Sequence, residues 1–422
     1  MRVFSHAHAT TFGMIDRMKL FTCTHCGNRV FFENLSCEVC HSALGYVPAE
    51  QTMVAFSADE ATGNWSRLGP DGPAYRPCSN YAVEHVCNWM VPADSQHQLC
   101  ASCRTTHTIP ALGKPQNRAY WYSLEQEKRR LFYTLIELGL PTPNKLDDPA
   151  NGLSFEFLEE TSPKARVLTG HDEGVITLNI AEADDAQRER IRLSMHEPYR
   201  TLLGHFRHEI GHYYWDRLIR GTPWIDECRA LFGDETADYA ESLKRHYANP
   251  RADWPQHFIS VYASSHPWED WAESWAHYLH MVDGLDTAAA WGLRLDHALP
   301  GGPALTVQRV DGQSDLIDAS IIEHWLPVSQ FINAMDRSLG SHDSYPFVVI
   351  PAVVKKLNFI HRVVHAARRG DAAMNFAPIT STADAGNAPA PATESAVQPE
   401  PAPLPVAHET AMPAAPAPVA SN

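Results

Sequence analysis

The sequence has 422 residues, of which 44% are hydrophobic and 20% are charged, and its formal net charge is -16. This length and composition are typical of a globular protein with more than one domain. The strong acidity disfavours sequence-independent binding to nucleic acid or anionic membranes, because such binding needs clustered Lys and Arg. No apolar run is long enough to predict a transmembrane helix.

The first segment, residues 1–17, is a mixed polar stretch without the apolar core of a secretory signal. We expect an unstructured leader and assign it no function. Because the cysteines that follow are paired at metal-binding spacing, the sequence predicts a reducing, cytoplasmic location.

Eight of the nine cysteines precede residue 104, and the first four form two Cys-x-x-Cys pairs. Each pair directs two thiolates at one ion from a tight turn. Residues 18–47 are therefore predicted to form a zinc ribbon held by Cys23, Cys26, Cys37 and Cys40. Iron is a rival occupant of a tetrahedral sulfur site, and disulfides are the alternative that a cytoplasmic location disfavours.

The second set of cysteines lies in residues 48–112, where only two of the four form a close pair. We predict a second structural zinc site formed by Cys78, Cys87, Cys100 and Cys103. The alternatives are buried free thiols, exchange of ligands between the two sets, or one thiolate replaced by His85, His97 or His107. Basic residues are few here and do not alternate with aromatics, so a structural role or a protein partner is expected rather than nucleic acid.

Residues 113–370 carry the hydrophobic patterns of a mixed domain of helices and strands. The predicted helices are 123–138, 235–247, 320–339 and 351–369, and the predicted strands are 153–158, 165–169 and 174–180. A hairpin turn is predicted at 171–174, and Cys228 is expected to be a core residue. Residues 371–422 are expected to form a disordered tail, because 385–420 is rich in Ala and Pro and has no aromatic.

The segment His208-Glu209-Ile210-Gly211-His212 carries the strongest chemical signal in the sequence. On a helix, residues four apart share a face, so the two histidines can bind one metal ion. Glu209 is then placed to take a proton from a metal-bound water. Apolar residues around the segment recur at helical spacing, and Pro198 is the predicted start of the helix. A surface helix with solvated histidines is the alternative.

A hydrolytic zinc site needs a third protein ligand and an open position for water. A helix starting after Pro267 would place Glu269 and Glu273 on one face. We assign Glu269 as the ligand and Glu273 as the acceptor of the outer N–H of a ligand histidine, with the reverse assignment left open.

Three further residues are candidates for the same site. His205 is a rival metal ligand, one turn before His208. Tyr262 is a candidate donor to the oxyanion that forms on attack, with His266 as the second choice. A packed tyrosine without a chemical role is the alternative for Tyr262.

These two motifs resemble those of the gluzincin metallopeptidases, in which His-Glu-x-x-His is followed by a second helix with acids four apart. Residues 269–275 are similar to the corresponding helix of the anthrax lethal factor branch, where the first Glu binds zinc, and the spacing from Tyr262 to Glu269 is also similar. With its cysteine-rich front, the whole chain resembles the bacterial zinc-binding metallopeptidases that carry an N-terminal zinc ribbon. The resemblance implies an α+β, zincin-like domain over 113–370, in which we nominate 174–180 as the edge strand that pairs with an extended peptide.

We therefore predict a zinc-dependent metallopeptidase with one catalytic and one or two structural zinc ions. Its substrate would be a peptide or protein, and its zinc ribbons would be the surface for any protein partner. The alternatives are a non-catalytic scaffold that binds a partner and a hydrolase of small-molecule amides or esters.

Overall fold

The computed structural model describes residues 20–58, 63–160, 167–195, 197–296, 302–310, 314 and 316–370. The predicted leader, 1–17, and the predicted tail, 371–422, lie outside the described residues. The described helices and strands form an α+β fold, which confirms the predicted fold class. None of the described helices is long and apolar enough to cross a membrane.

The cysteine-rich front contains two small antiparallel sheets. A hairpin is formed by β1 (Phe21–Thr22) and β2 (Arg29–Val30). A five-stranded sheet follows in chain order, with β3 (Ala43–Val47), β4 (Thr52–Ala58), β5 (Trp65–Leu68), β6 (Tyr75–Pro77) and β7 (Met90–Pro92). A single helical turn, α1 (Ser79–Ala82), connects β6 to β7.

The front shares its hydrophobic core with the rest of the chain. Tyr133 lies on the long helix α2 (Pro115–Glu137), and its ring centroid is 5.6 Å from that of Phe32 and 5.8 Å from that of Tyr46. All three rings are buried. Because apolar surface from both parts is removed from water at this contact, the front and the rear stabilise one another.

The rear half is built on a four-stranded sheet with the order β10-β11-β9-β8. The central strands β9 (Ser154–Leu158) and β11 (Val175–Asn179) are parallel, and β8 (Thr106–Thr108) runs parallel to β9 on one side. On the other side β10 (Gly170–Asp172) is antiparallel to β11. Since β8 follows Cys103 closely and precedes residue 113, the rear sheet begins inside the segment assigned from sequence to the cysteine-rich front.

The predicted hairpin turn is present, but the predicted edge strand is wrong. Glu173 and Gly174 both have positive φ, at 44° and 83°, as a tight turn between two antiparallel strands requires. Because β11 lies between β9 and β10, residues 174–180 do not provide an edge, and β10 is the terminal strand on that side of the described sheet. The strand predicted at 165–169 lies partly outside the described residues, and 167–169 is irregular.

Seven further helices follow in the described part of the chain. They are α3 (Asp185–Ser194), α4 (Leu202–Leu218), α5 (Ile225–Phe232), α6 (Tyr239–Ala248), α7 (Pro267–Ala290), α8 (Leu326–Ser338) and α9 (Pro351–Arg369). A two-stranded hairpin of β12 (Arg294–Leu295) and β13 (Leu305–Thr306) follows α7, and a π-helical turn at Ser320–Trp325 leads into α8.

Helices α3 and α5 were not predicted from the sequence, and α4 begins later than expected. Helix α4 begins after Thr201, whose side chain accepts a hydrogen bond from the Gly204 N–H, rather than at Pro198. Helix α3 has no buried residue, so its sequence lacks the apolar period that reveals a helix.

Candidate metal centres

Helices α4 and α7 approach closely at Gly211, in the middle of the His-Glu-x-x-His segment. A Cβ atom built on Gly211 would lie 3.1 Å from Cα of Ala272 and 3.2 Å from Cβ of Trp275. The Trp271 indole also donates a hydrogen bond to the Gly211 carbonyl oxygen at 2.8 Å. Glycine therefore permits a helix crossing that brings the predicted ligands of α4 next to those of α7.

The N-terminus of α7 is fixed by His266. Its Nδ1 accepts a hydrogen bond from the Trp268 N–H at 3.1 Å, and its Nε2 donates to the Ala237 carbonyl oxygen at 3.0 Å. Both ring nitrogens are thereby engaged in holding the backbone. The geometry gives His266 a capping role in place of the oxyanion contact considered as the second choice from sequence.

Three predicted ligand atoms converge between the two helices. Nε2 of His208 lies 3.0 Å from Oε2 of Glu269 and 3.2 Å from Nε2 of His212. The distance from Nε2 of His212 to Oε2 of Glu269 is 3.5 Å. A tetrahedral zinc ion with bonds of about 2.0–2.1 Å needs ligand atoms about 3.3 Å apart. The residues present therefore fit a zinc ion bound by His208, His212 and Glu269.

Glu273 lies on the outer side of the His208 ring. Its Oε1 accepts a hydrogen bond from His208 Nδ1 at 2.8 Å, and its Oε2 accepts one from the Ser260 hydroxyl at 2.6 Å. This contact favours the tautomer with the proton on Nδ1, which leaves Nε2 free to bind a metal.

The electrostatics of the cluster favour a positive charge between the ligands. Burial alone would lower the pKa of His208, but Glu269 and Glu273 more than offset it and raise that pKa well above its ordinary value. Burial alone would raise the pKa of Glu269, but the imidazoles of His212 and His208 hold that pKa well below the usual range. A cation at this position, whether a proton or a metal ion, is therefore stabilised by its surroundings.

Glu209 and Tyr262 lie beside the ligand cluster. Glu209 is 8% exposed, and burial raises the pKa of its carboxyl, while the charges of His208 and His212 oppose the increase. The ring centroid of Tyr262 is 5.9 Å from that of His208. Burial raises the pKa of Tyr262 well above its ordinary value, so its phenol stays protonated and can act as a donor.

Two aromatic contacts were missed from sequence, and the rival ligand lies elsewhere. The Tyr239 hydroxyl donates to Glu269 Oε1 at 2.6 Å, across 30 residues of chain and without any spacing signal. The Trp268 ring lies 3.9 Å from the His212 ring, centroid to centroid. His205 does not join the three ligands, because its Nδ1 instead lies 3.5 Å from Glu182.

The eight front cysteines form two separate clusters of four. One contains Cys23, Cys26, Cys37 and Cys40, and the other contains Cys78, Cys87, Cys100 and Cys103. Sulfur–sulfur separations of 3.6 Å in the first cluster and 3.8 Å in the second match a tetrahedron with zinc–sulfur bonds of about 2.3 Å, whose edges are about 3.8 Å. They are far too long for disulfide bonds of about 2.05 Å. Neither a histidine nor an exchanged cysteine enters either cluster among the described residues.

The second cysteine cluster is buried against helix α2. Its sulfurs accept backbone hydrogen bonds, including one from the Cys100 N–H to Cys78 Sγ at 3.3 Å. The guanidinium of Arg129 is buried beside the cluster and donates to the Val86 carbonyl oxygen. Burial alone would lower the pKa of Arg129. The nearby thiolates, of which Cys87 contributes most, raise that pKa above its ordinary value. Helix α2 thus supplies a countercharge to this site.

Comparison with known proteins agrees with this geometry. Residues 117–363 match the family described as putative zinc-binding metallo-peptidase. The chain belongs to this family. Residues 20–114 match a zinc-ribbon domain. The resemblance to zinc-binding metallopeptidases that carry an N-terminal zinc ribbon is therefore confirmed.

Relatives of this chain include uncharacterized proteins of Mycobacterium bovis and of two strains of Mycobacterium tuberculosis. Each is 43% identical over 349 residues, which covers 82% of this chain and 95% of the relative. The similarity therefore spans both the cysteine-rich front and the metallopeptidase part. No solved structure matches the chain.

Proposed function

We propose that this chain is a zinc-dependent peptidase that hydrolyses peptide bonds at the centre formed by His208, His212 and Glu269. The observation that carries the proposal is the convergence of the three ligand atoms at separations of 3.0, 3.2 and 3.5 Å. Membership of a zinc-binding metallo-peptidase family supports the same class of reaction. We further propose three zinc ions per chain, one at this centre and one in each cysteine cluster.

Each residue near the centre would have a separate task. When bound, zinc would lower the pKa of a water molecule and polarise the carbonyl of the substrate. Glu209 would accept the proton of the attacking water and pass it to the leaving amine. Tyr262 would donate a hydrogen bond to the oxyanion, while Glu273 would keep His208 oriented.

The position of strand β10 supports a peptide as the substrate. His171 on this strand stacks parallel to His212, with ring centroids 6.3 Å apart, so the strand runs next to the proposed centre. In the described part of the sheet no strand pairs with the outer side of β10. An extended peptide would pair with this edge by backbone hydrogen bonds and would then lie next to the imidazoles of His208 and His212.

The proposal is tested by Glu209→Gln and a matched control, Glu189→Gln, at an exposed position of α3. Both variants and the wild type would be assayed on a peptide library at equal zinc content. We expect Glu209→Gln to keep three zinc ions and lose about 10²–10⁴-fold in turnover, as removal of a general base does. The control should behave as the wild type.

Two results would contradict the proposal. Equal turnover in Glu209→Gln and the wild type would remove Glu209 as the base. Three bound zinc ions with no cleavage of any peptide would favour a binding scaffold, or, if small amides were cleaved, a small-molecule hydrolase.

A further inference from the structure

Helix α6 begins at a residue that contacts the proposed metal ligand directly. Tyr239 is the first residue of α6, and the Asp238 side chain caps the helix by accepting from the Glu241 N–H at 2.9 Å. The Tyr239 hydroxyl donates to Oε1 of Glu269 at 2.6 Å. This is the oxygen that does not face the histidines, since both imidazoles approach Oε2.

The contact is held in place by the fold rather than by a flexible side chain. His266 caps α7 and also donates to the Ala237 carbonyl oxygen, two residues before Tyr239. The Tyr239 ring packs at 5.2 Å from the His266 ring and 6.1 Å from the Trp268 ring, centroid to centroid. Two hydrogen bonds therefore connect the N-terminal ends of α6 and α7. One runs from His266 to the Ala237 carbonyl oxygen, and the other from Tyr239 to Glu269.

The hydrogen bond between Tyr239 and Glu269 is shielded from solvent. Glu269 is only 1% exposed, so water has little access to replace the phenol. The Tyr239 hydroxyl is therefore the group that occupies Oε1 of Glu269.

Three of the four carboxylate oxygens of Glu269 and Glu273 accept hydrogen bonds from other side chains. Glu273 uses both of its oxygens to accept hydrogen bonds, from His208 and from Ser260. Glu269 uses Oε1 to accept from Tyr239. Oε2 of Glu269 is the one that faces both imidazole nitrogens.

We propose that Tyr239 is a positioning residue that restricts Glu269 to binding the metal through one oxygen. The inference rests on the proposed function, because it takes Glu269 as a metal ligand. A carboxylate that also used its second oxygen would fill a coordination position that a hydrolytic site keeps open for water. Tyr239 would prevent this by occupying that oxygen.

The test uses Tyr239→Phe, which removes the hydroxyl and keeps the ring that packs on His266 and Trp268. Tyr247→Phe is the matched control, since Tyr247 is on the same helix and 55% exposed. In each full-length protein the ion of the histidine centre would be replaced by Co²⁺ while zinc is kept in the cysteine clusters. The spectrum of an identically treated His208→Ala protein would be subtracted as the blank.

We expect the Co²⁺ absorption of the wild type and Tyr247→Phe to have the high intensity of four-coordinate Co²⁺. Tyr239→Phe should lose much of that intensity, because a freed Oε1 raises the coordination number. A chelator titration should also show metal affinity changed by about 10–100-fold, the usual effect of altering the partner of a ligand.

The outcomes separate this inference from the proposed function. Co²⁺ bound by Tyr239→Phe with the spectrum and affinity of the wild type would overturn the role of Tyr239 and leave the metal centre intact. A wild-type protein that takes up no Co²⁺ beyond the His208→Ala blank would overturn the metal centre itself, and the inference with it.

Discussion

Replacement of Gly211 by alanine should disturb the metal centre by forcing α4 and α7 apart. The atoms nearest to a Cβ at this position are Cα of Ala272 at 3.1 Å and Cβ and Cδ1 of Trp275 at 3.2 and 3.3 Å. None of these is the far end of a flexible side chain. Favourable carbon–carbon contacts lie at about 3.5–4.0 Å, so the helices must separate by roughly 0.3–0.6 Å.

The expected magnitude follows from two opposing effects. Overpacking of this kind costs about 1–3 kcal/mol, whereas alanine in place of glycine in a helix returns about 1 kcal/mol. The free energy of unfolding should therefore fall by about 0–2 kcal/mol. Because metal ligands must be held within about 0.5 Å of their working geometry, the ion of the histidine centre should bind at least about tenfold more weakly.

Gly284→Ala is the control for a loss of stability without a change at the centre. A Cβ on Gly284 would lie 2.5 Å from the Trp325 ring, so this change also overpacks α7. The position is 15 residues beyond Glu269, about 22 Å along the helix. Denaturant unfolding and chelator titration should show reduced stability in Gly284→Ala with unchanged affinity at the histidine centre. Wild-type affinity in Gly211→Ala would refute the idea that this crossing sets the ligand separations.

Three further predictions concern the surroundings of the metal centres. Glu273→Gln should weaken metal binding at the histidine centre by about 10–100-fold in a chelator titration, because His208 loses a charged hydrogen-bond partner, and unchanged affinity would contradict this. Arg129→Met should lower the free energy of unfolding by about 3–5 kcal/mol and promote zinc loss, because it removes a buried countercharge. Arg118→Met breaks an exposed ion pair on the same helix and should lower the free energy of unfolding by under about 1 kcal/mol. Equal losses in the two variants would contradict this prediction. Burial raises the pKa of Asp216 from 3.8 to about 6, so the folded state binds its proton more tightly than the unfolded state does. The stability advantage of the wild type over Asp216→Asn should therefore be greatest below pH about 4 and fall as the pH rises through about 6. Urea unfolding in which the two proteins have parallel pH profiles would contradict this.

The convergence of the proposed ligand residues could be expected from the sequence, because spacing along a helix determines which side chains share a face. His208 and His212 share a face by helical geometry alone, and Glu269 and Glu273 do the same on α7. The first cysteine cluster was predictable for a similar reason, since Cys-x-x-Cys pairs are local turns. In the second cluster only Cys100 and Cys103 form such a pair. Helix α9 was also predicted with its observed bounds, 351–369, because its apolar stripe is long and uninterrupted.

Features that depend on contacts between distant segments could not be read from spacing. Tyr239 reaches Glu269 through the packing of α6 against α7, and no periodic pattern links the two residues. Strand β10 has only three residues, Gly170–Asp172, and no apolar alternation, so β11 was mistaken for the sheet edge. The pairing of β8 with β9 in the rear sheet could not be predicted from the sequence, because strand order depends on tertiary packing rather than on local sequence.

An anomalous difference map recorded from crystals at the zinc absorption edge would show whether a zinc ion binds between α4 and α7. We expect three peaks per chain, one in each cysteine cluster and one about 2.0–2.1 Å from Nε2 of His208, Nε2 of His212 and Oε2 of Glu269. Peaks in the cysteine clusters alone, from protein purified with saturating zinc, would contradict this expectation, as would a third peak bound by Glu273 in place of Glu269.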